Sequence, residues 1–156
     1  HSGEDARPAQ GADRRDEHRQ ALMASLDTNV LVRWLIKDDE RQLAAVQGLF
    51  EAAARQERSL FVPLTVTLEL EWVLRSRYGF GKAAILAVFN ALLETREIEF
   101  HEEGAVERAI HAYRLGRAEF ADCLHMGISG AFERRPLLTF DAGAARLPGV
   151  DLISAG

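Results

Sequence analysis

Hydrophobic and polar residues alternate with two different periods along this chain. Short apolar runs predict β-strands around Leu26 and at residues 59–63, 98–100, 136–139 and 150–153. Apolar residues spaced three or four apart predict helices at about residues 30–35, 39–55, 66–77, 82–95, 105–113 and 118–131. Because strands alternate with helices, we predict an α/β fold with a central parallel sheet of about four or five short strands and helices on both faces.

One stretch fits both periods. Apolar residues alternate with polar ones from Val66 to Trp72, as in a half-buried strand, whereas Val66, Leu70 and Leu74 recur with a spacing of four. We interpret the stretch as a helix, because Pro63 closes the preceding strand and the helical pattern continues beyond it.

The first 22 residues differ from the rest of the chain. Residues 1–20 contain no Leu, Ile, Val, Phe, Trp or Tyr, so they cannot contribute a core. The chain has 156 residues and is 47% hydrophobic, which suits one domain with a sizeable core. We therefore predict a polar N-terminal extension or cloning remnant at residues 1–22 and a single domain at residues 23–156.

Composition also bears on where the protein works. The apolar stretches are too short and too interrupted by charge to span a bilayer, and the N-terminus lacks the pattern of a secretory signal. The single cysteine, Cys123, cannot form an intrachain disulfide, and its apolar helical setting predicts a buried, inert thiol. We expect a cytoplasmic protein that does not bind membranes.

The net charge of −5 is unusual for a protein that binds nucleic acid through its overall charge. Either the partner is basic, or a nucleic acid is held by local patches and metal. Local basic spots occur at Arg75, Arg77, Arg114, Arg117, Arg134 and Arg135. These arginines fit a solvated surface and contacts to an RNA backbone equally well.

Four acidic residues lie at the ends of separate hydrophobic segments: Asp27, Glu69, Asp122 and Asp141. Carboxylates are costly to bury unless something positive neutralises them, and sites in α/β sheets form at the carboxyl ends of strands. Without a matching set of Lys or His, four such acids suggest a hard divalent cation such as Mg²⁺ or Mn²⁺.

Each acid also has a local explanation. Asp27 fits a helix cap at a strand-to-helix turn, and Asp141 fits a cap of a short helix after it. Glu69 fits a solvated helix position, while Glu119 and Asp122 fit the acids that commonly begin a helix. His125 extends the last pair to a conceivable transition-metal site, although a lone histidine on a helix flank is more often a packing or surface residue.

The order of the acidic segments resembles the PIN-domain family of metal-dependent ribonucleases, particularly the VapC-like toxins of type II toxin–antitoxin pairs. The resemblance extends from about residue 25 to residue 153. Its most specific pieces are residues 26–33, 68–74, 120–125 and 138–141, with a family-like ending at 147–150.

This resemblance implies a PIN-like three-layer α/β/α fold and a catalytic acidic quartet that binds Mg²⁺ or Mn²⁺. The quartet would be Asp27, Glu69, Asp122 and Asp141, with Asp27 and Asp122 as the principal metal ligands. Glu71 competes with Glu69 for its role, and Glu119 is an additional candidate ligand. Three further residues would orient the carboxylates or metal-bound water without binding the metal: Thr28, Asn29 and Thr139.

The resemblance further implies an endoribonuclease that cleaves RNA, acts as a toxin, forms a homodimer and is neutralised by a small VapB-like antitoxin. The antitoxin could insert an Arg or Lys among the acids. Candidate apolar positions for its hydrophobic residues are Trp34, Leu35, Val66, Leu70 and Val73, although such residues ordinarily pack in the core.

Two other classes of function remain open. A catalytically silent PIN-like module would only bind its partner. A Mg²⁺-dependent phosphoryl-transfer or receiver-like domain would also place an Asp after a parallel strand. A dehalogenase-type phosphatase would want a second Asp at the position of Asn29, and a receiver would want a Lys beyond a late strand; neither feature is found.

Overall fold

Six α-helices and four short strands alternate along residues 24–155, the part of the chain that the computed structural model describes. In chain order the elements are α1 (Thr28–Ile36), α2 (Glu40–Arg55), β1 (Leu60–Val62), α3 (Leu64–Ser76), α4 (Lys82–Glu94), β2 (Ile98–Phe100), α5 (Glu103–Leu115), α6 (Phe120–Ala131), β3 (Leu137–Thr139), a 3-10 turn (Ala144–Arg146) and β4 (Val150–Leu152). The predicted α/β alternation is confirmed. The extension predicted at residues 1–22 lies outside the described residues.

All strand pairing is parallel within the described chain. β1 pairs with β2, beginning with Leu60 opposite Ile98, and β3 pairs with β4, beginning with Leu137 opposite Val150. The strand predicted at Leu26 is reduced to one parallel bridge, with the Leu26 N–H donating to the Phe61 carbonyl at 2.7 Å. The chain turns into α1 immediately afterwards, so residues 24–155 contain two parallel pairs and a bridge rather than one continuous ladder.

Helix starts follow the capping chemistry of the sequence. Asp39 Oδ1 accepts a hydrogen bond from the Gln42 N–H at 3.0 Å and so caps the start of α2. The ambiguous stretch is helical: α3 begins directly after Pro63, and the Thr67 N–H donates to the Pro63 carbonyl at 3.1 Å. Its alternating pattern arises because Trp72 is half exposed on the outer side of α3 while Leu70 and Leu74 are fully buried.

The core lies between the helices and the β1–β2 pair. Phe120, at the start of α6, stacks on Phe89 of α4 with ring centroids 5.1 Å apart. Tyr113 of α5 meets the same Phe120 ring edge-on at 5.6 Å. This aromatic cluster joins three helices, and offset or edge-on aromatic pairs stabilise beyond their area burial.

The predicted partner-binding apolar face is wrong in part. Leu70 and Val73 are buried in the core, so they offer no surface to a partner. Trp34 stacks on Phe50 with centroids 4.5 Å apart, which joins α1 to α2 and leaves the indole only partly accessible. Large hydrophobic side chains are instead exposed on the β3–β4 pair and the residues that follow each strand, namely Leu138, Phe140, Leu152 and Ile153.

Helices α5 and α6 are in close contact at Gly127. A Cβ atom at that position would lie 2.5 Å from the Ala105 carbonyl oxygen, so only glycine allows this spacing. None of the helices described in residues 24–155 is long and apolar enough to cross a membrane.

We expect Gly127→Ala to lower the free energy of unfolding by about 1–3 kcal/mol, because the added methyl group must push two helices apart. Gly48→Ala is the matched control: Gly48 lies inside α2, and a Cβ there would meet nothing within 4 Å. That substitution should instead stabilise by about 0.5–1 kcal/mol, through lower backbone entropy in the unfolded chain. Urea titrations followed by circular dichroism measure both effects, and equal changes for the two variants would contradict the packing argument.

Candidate active site

Asp27 occupies the turn between the bridging segment and α1. It is the N-cap residue of α1, and its Oδ1 accepts a hydrogen bond from the Thr28 N–H at 2.7 Å. The predicted capping role of Asp27 is therefore correct. The carboxylate is exposed, and its second oxygen takes no part in the cap. The hydroxyl of Thr28 is buried and has no hydrogen-bond partner among the described residues, while Asn29 is exposed.

Asp141 follows β3 and also combines a structural role with a free oxygen. Its Oδ1 accepts hydrogen bonds from the N–H groups of Gly143 at 2.7 Å and Ala144 at 3.2 Å. Its own N–H donates to Thr139 Oγ1 at 3.0 Å. Thr139 therefore contacts the backbone of Asp141, and its role in orienting the carboxylate stays a prediction. Within residues 24–155, Asp141 Oδ2 has no hydrogen-bond partner in the protein.

Asp122 and Glu119 mark the start of α6. Glu119 is the N-cap residue but makes no side-chain capping bond, and it is exposed. Asp122 lies in the first turn and is half-buried, next to the buried residues Cys123 and Leu124. The first turn of a helix favours negative charge, so this position holds a carboxylate without a paired cation.

The two glutamates of α3 occupy different environments. Glu69 is exposed, whereas Glu71 is only 5% exposed and accepts a hydrogen bond from Arg75 Nε at 2.8 Å. Two residues along a helix differ by about 200° in direction, so the two side chains cannot share one role. Glu71 is held in an ion pair, whereas Glu69 makes no ion pair within residues 24–155.

Helix α3 packs against both α1 and α6, the helices that begin at Asp27 and carry Asp122. The fold therefore brings the acid-bearing elements next to one another. Even so, in the described part of the chain no three His, Cys, Asp or Glu side chains lie close enough to hold a metal ion. The quartet of Asp27, Glu69, Asp122 and Asp141 stays a prediction.

A family model described as PIN domain matches residues 24–150. The chain belongs to the PIN domain family. It is also similar to a VapC ribonuclease of Aquifex aeolicus (strain VF5): the two are 28% identical over 102 residues, which cover 65% of this chain and 75% of that protein. The resemblance carried by the acidic segments is thereby confirmed, and the parallel strands with their flanking helices form a PIN-like α/β/α fold.

The donor chemistry of this PIN domain fits a hard divalent cation. All the candidate ligands are carboxylates, and the unpartnered hydroxyl of Thr28 lies beside Asp27. Mg²⁺ and Mn²⁺ prefer such oxygen ligands. His125 is exposed on α6.

A small cavity of about 250 Å³ opens beside the start of α6. Its walls include the Glu71–Arg75 ion pair, Tyr113 and two cations that the sequence analysis did not bring together, Lys82 and Arg117. One sequence signal could have singled out Lys82. It is the first residue of α4, where the helix dipole disfavours a positive charge. A lysine at that position indicates that its side chain makes a contact elsewhere in the fold.

Cys123 is fully buried, and burial raises the pKa of its thiol to about 11, with a smaller contribution from the negative charge of Asp122. At pH 8 the thiol is therefore protonated as well as inaccessible. We expect native Cys123 to react with Ellman's reagent at least about a hundredfold more slowly than in the guanidinium-unfolded chain, where its pKa returns to about 8.5. Absorbance measurements at pH 8 give both rates, and equal rates would refute the inert thiol.

Proposed function

We propose that this PIN domain is a divalent-metal-dependent endoribonuclease that hydrolyses RNA phosphodiesters. The observation that carries the proposal is the family match over residues 24–150, which spans all four candidate acids. The similar protein from Aquifex aeolicus is named a ribonuclease, which supports the same reaction class. A catalytically silent module would bind RNA without cutting it, so turnover distinguishes the two functions.

Asp27 and Asp122 would be the principal ligands of Mg²⁺ or Mn²⁺, with Glu69, Asp141 and Glu119 as the further carboxylates around it. When bound, such an ion neutralises the repulsion between carboxylates and phosphate and makes a water molecule more acidic.

The protein's own contribution is to fix the direction of its carboxylates before substrate arrives. Asp27 is oriented by the Thr28 N–H, and Asp141 by the N–H groups of Gly143 and Ala144. In each case one oxygen is fixed by backbone and the other is available to bind a cation or accept a proton from water. Pre-oriented groups need little reorganisation during the reaction, which favours catalysis.

Replacing Asp27 or Asp122 with Asn removes charge while nearly preserving shape. We expect cleavage of a labelled RNA in Mg²⁺ to fall by roughly a thousandfold in either variant, since metal-assisted charge stabilisation is worth several kcal/mol. Chelation of the metal by EDTA should have the same effect on the parent.

The control for this prediction is Asp38→Asn. Asp38 is an exposed carboxylate that pairs with Arg33 at 3.0 Å on the surface, and such pairs contribute little to stability. Its substitution should leave the rate unchanged. Undiminished cleavage by Asp27→Asn and Asp122→Asn would show that the mechanism is wrong, and a phosphoaspartate assay would then test the phosphoryl-transfer alternative.

We further propose that the protein is the toxin of a toxin–antitoxin pair and acts in the cytoplasm, where its RNA substrate is found. Its relative is named VapC, and the net charge of −5 suits a basic partner. A VapB-like antitoxin would place Arg or Lys among the free carboxylate oxygens and compete with metal. The exposed side chains of Leu138, Phe140 and Ile153 are the surface we propose for a homodimer, which analytical ultracentrifugation tests.

Expression of the chain alone should arrest growth, because uncontrolled RNA cleavage stops translation. Co-expression with the small antitoxin encoded beside it should restore growth, and Asp27→Asn should be harmless without it. Colony counts after induction measure these effects. If the parent is not toxic and no neighbouring gene product co-purifies with it, the chain is a solitary PIN nuclease instead.

A further inference from the structure

The cavity beside the start of α6 joins four helices near one candidate catalytic carboxylate. Its walls come from α3, α4, the end of α5 and residues 118–121, and Asp122 is the next residue along the chain. The cavity presents three cationic side chains: Arg75, Lys82 and Arg117.

Each cation keeps hydrogen-bonding capacity for a ligand. Arg75 uses Nε for Glu71, and its side chain is 53% exposed, so the two terminal nitrogens of the guanidinium remain available. Lys82 Nζ donates to the Gly116 carbonyl at 2.6 Å and lies 4.7 Å from the centre of the Tyr113 ring. Both of these partners are uncharged, so the positive charge of Lys82 is not cancelled. Arg117 is exposed and has no ion pair within residues 24–155.

Two carboxylates also line the cavity, so its three cations leave it with a formal charge of +1. Glu71 is neutralised by Arg75, while Glu119 is exposed at the cap of α6 and is a candidate metal ligand. Tyr113 adds a neutral donor, because burial raises the pKa of its hydroxyl, with a smaller contribution from the charge of Glu71. The cavity therefore combines an excess of positive charge with a protonated phenol, a combination suited to a phosphate group.

We propose that this cavity is a phosphate-binding subsite for RNA, which holds the backbone phosphate next to the one that is cut. The proposal rests on the proposed nuclease function, because it is the position of Asp122 that places the reacting phosphate nearby. A local subsite of this kind also explains how a chain with a net charge of −5 can bind a polyanion.

Glu71 has a defined part in this subsite as a positioning residue. It fixes Nε of Arg75 and thereby directs the remaining donors of the guanidinium toward solvent at the rim of the cavity. Glu69, two residues earlier on the same helix, is exposed and makes no such contact within the described chain. The pair Glu71→Gln and Glu69→Gln thus separates the subsite from the catalytic acids on one helix.

The subsite is tested by binding of a fluorescein-labelled, mixed-sequence single-stranded RNA to the Asp122→Asn variant, which holds RNA without cutting it. Adding Arg117→Ala should weaken binding roughly tenfold, as expected for a lost hydrogen bond to a charged group. The slope of log K against log salt concentration should also fall by about 0.7 for each phosphate contact removed. Arg58→Ala is the control, because Arg58 is an exposed arginine that precedes β1 and does not line this cavity, so its substitution should change neither quantity.

Kinetics of the otherwise wild-type chain add a second readout. Arg117→Ala and Glu71→Gln should raise KM for RNA with little change in kcat, whereas Glu69→Gln should lower kcat. Glu71→Gln should have no further effect on KM once Arg75→Ala is present, since it acts on RNA through Arg75. In that background it should raise the melting temperature, because it removes a buried charge that has lost its partner. A purely structural role of Glu71 would lower the melting temperature of the single variant and leave its KM for RNA unchanged.

Arg117 decides the outcome even if substitutions at Lys82 or Glu71 impair folding, because its exposed side chain supports no packing. RNA affinity and salt slope equal to those of Arg58→Ala would overturn the subsite, whatever the cleavage rate. Weakened binding by Arg117→Ala together with no cleavage by the parent would keep the cavity as a binding site for RNA phosphate and refute the nuclease. The two failures are therefore distinguishable.

Discussion

The close packing of α5 against α6 is the constraint on which the candidate site depends. The approach is possible because residue 127 is glycine, with the space of a missing Cβ filled by the Ala105 carbonyl. One turn before this contact, Cys123 and Leu124 are buried, and at the start of the helix Phe120 is held between Phe89 and Tyr113. The first turn of α6 is thus fixed at several points, and the packing of the core gives Glu119 and Asp122 a defined position.

The site also shows two different ways of placing an acid on a helix. Glu71 is buried and therefore needs Arg75, because a carboxylate without a partner at that depth would be strongly destabilising. Asp27, Glu69 and Asp141 are exposed and need no cation for stability. A half-exposed ion pair thus has a structural role at Glu71, while the exposed acids keep their charge available. This division explains why two glutamates separated by one residue have different environments.

Much of this architecture was predictable because local chemistry determines it. Asp39 and Pro63 fixed the starts of α2 and α3, and the apolar spacing located nearly every helix. The order of the four acids was enough to suggest the PIN domain family. Residues 24–26 did not form a full strand because strand length depends on neighbours elsewhere in the chain. The same limit applies to Leu70, Val73 and Lys82: their spacing shows which side of a helix they share, but tertiary packing decides what that side meets.

Asp27 and Asp141 each bind backbone amides with one oxygen and leave the other free, and this has a thermodynamic consequence. The free oxygen has its direction only while the turn that it caps is formed. A cation held there would bind the folded chain in preference to the unfolded chain. By mass action, the free energy of unfolding would then rise with the cation concentration. In such an arrangement, cation binding and folding of the surrounding turns are coupled, so each favours the other.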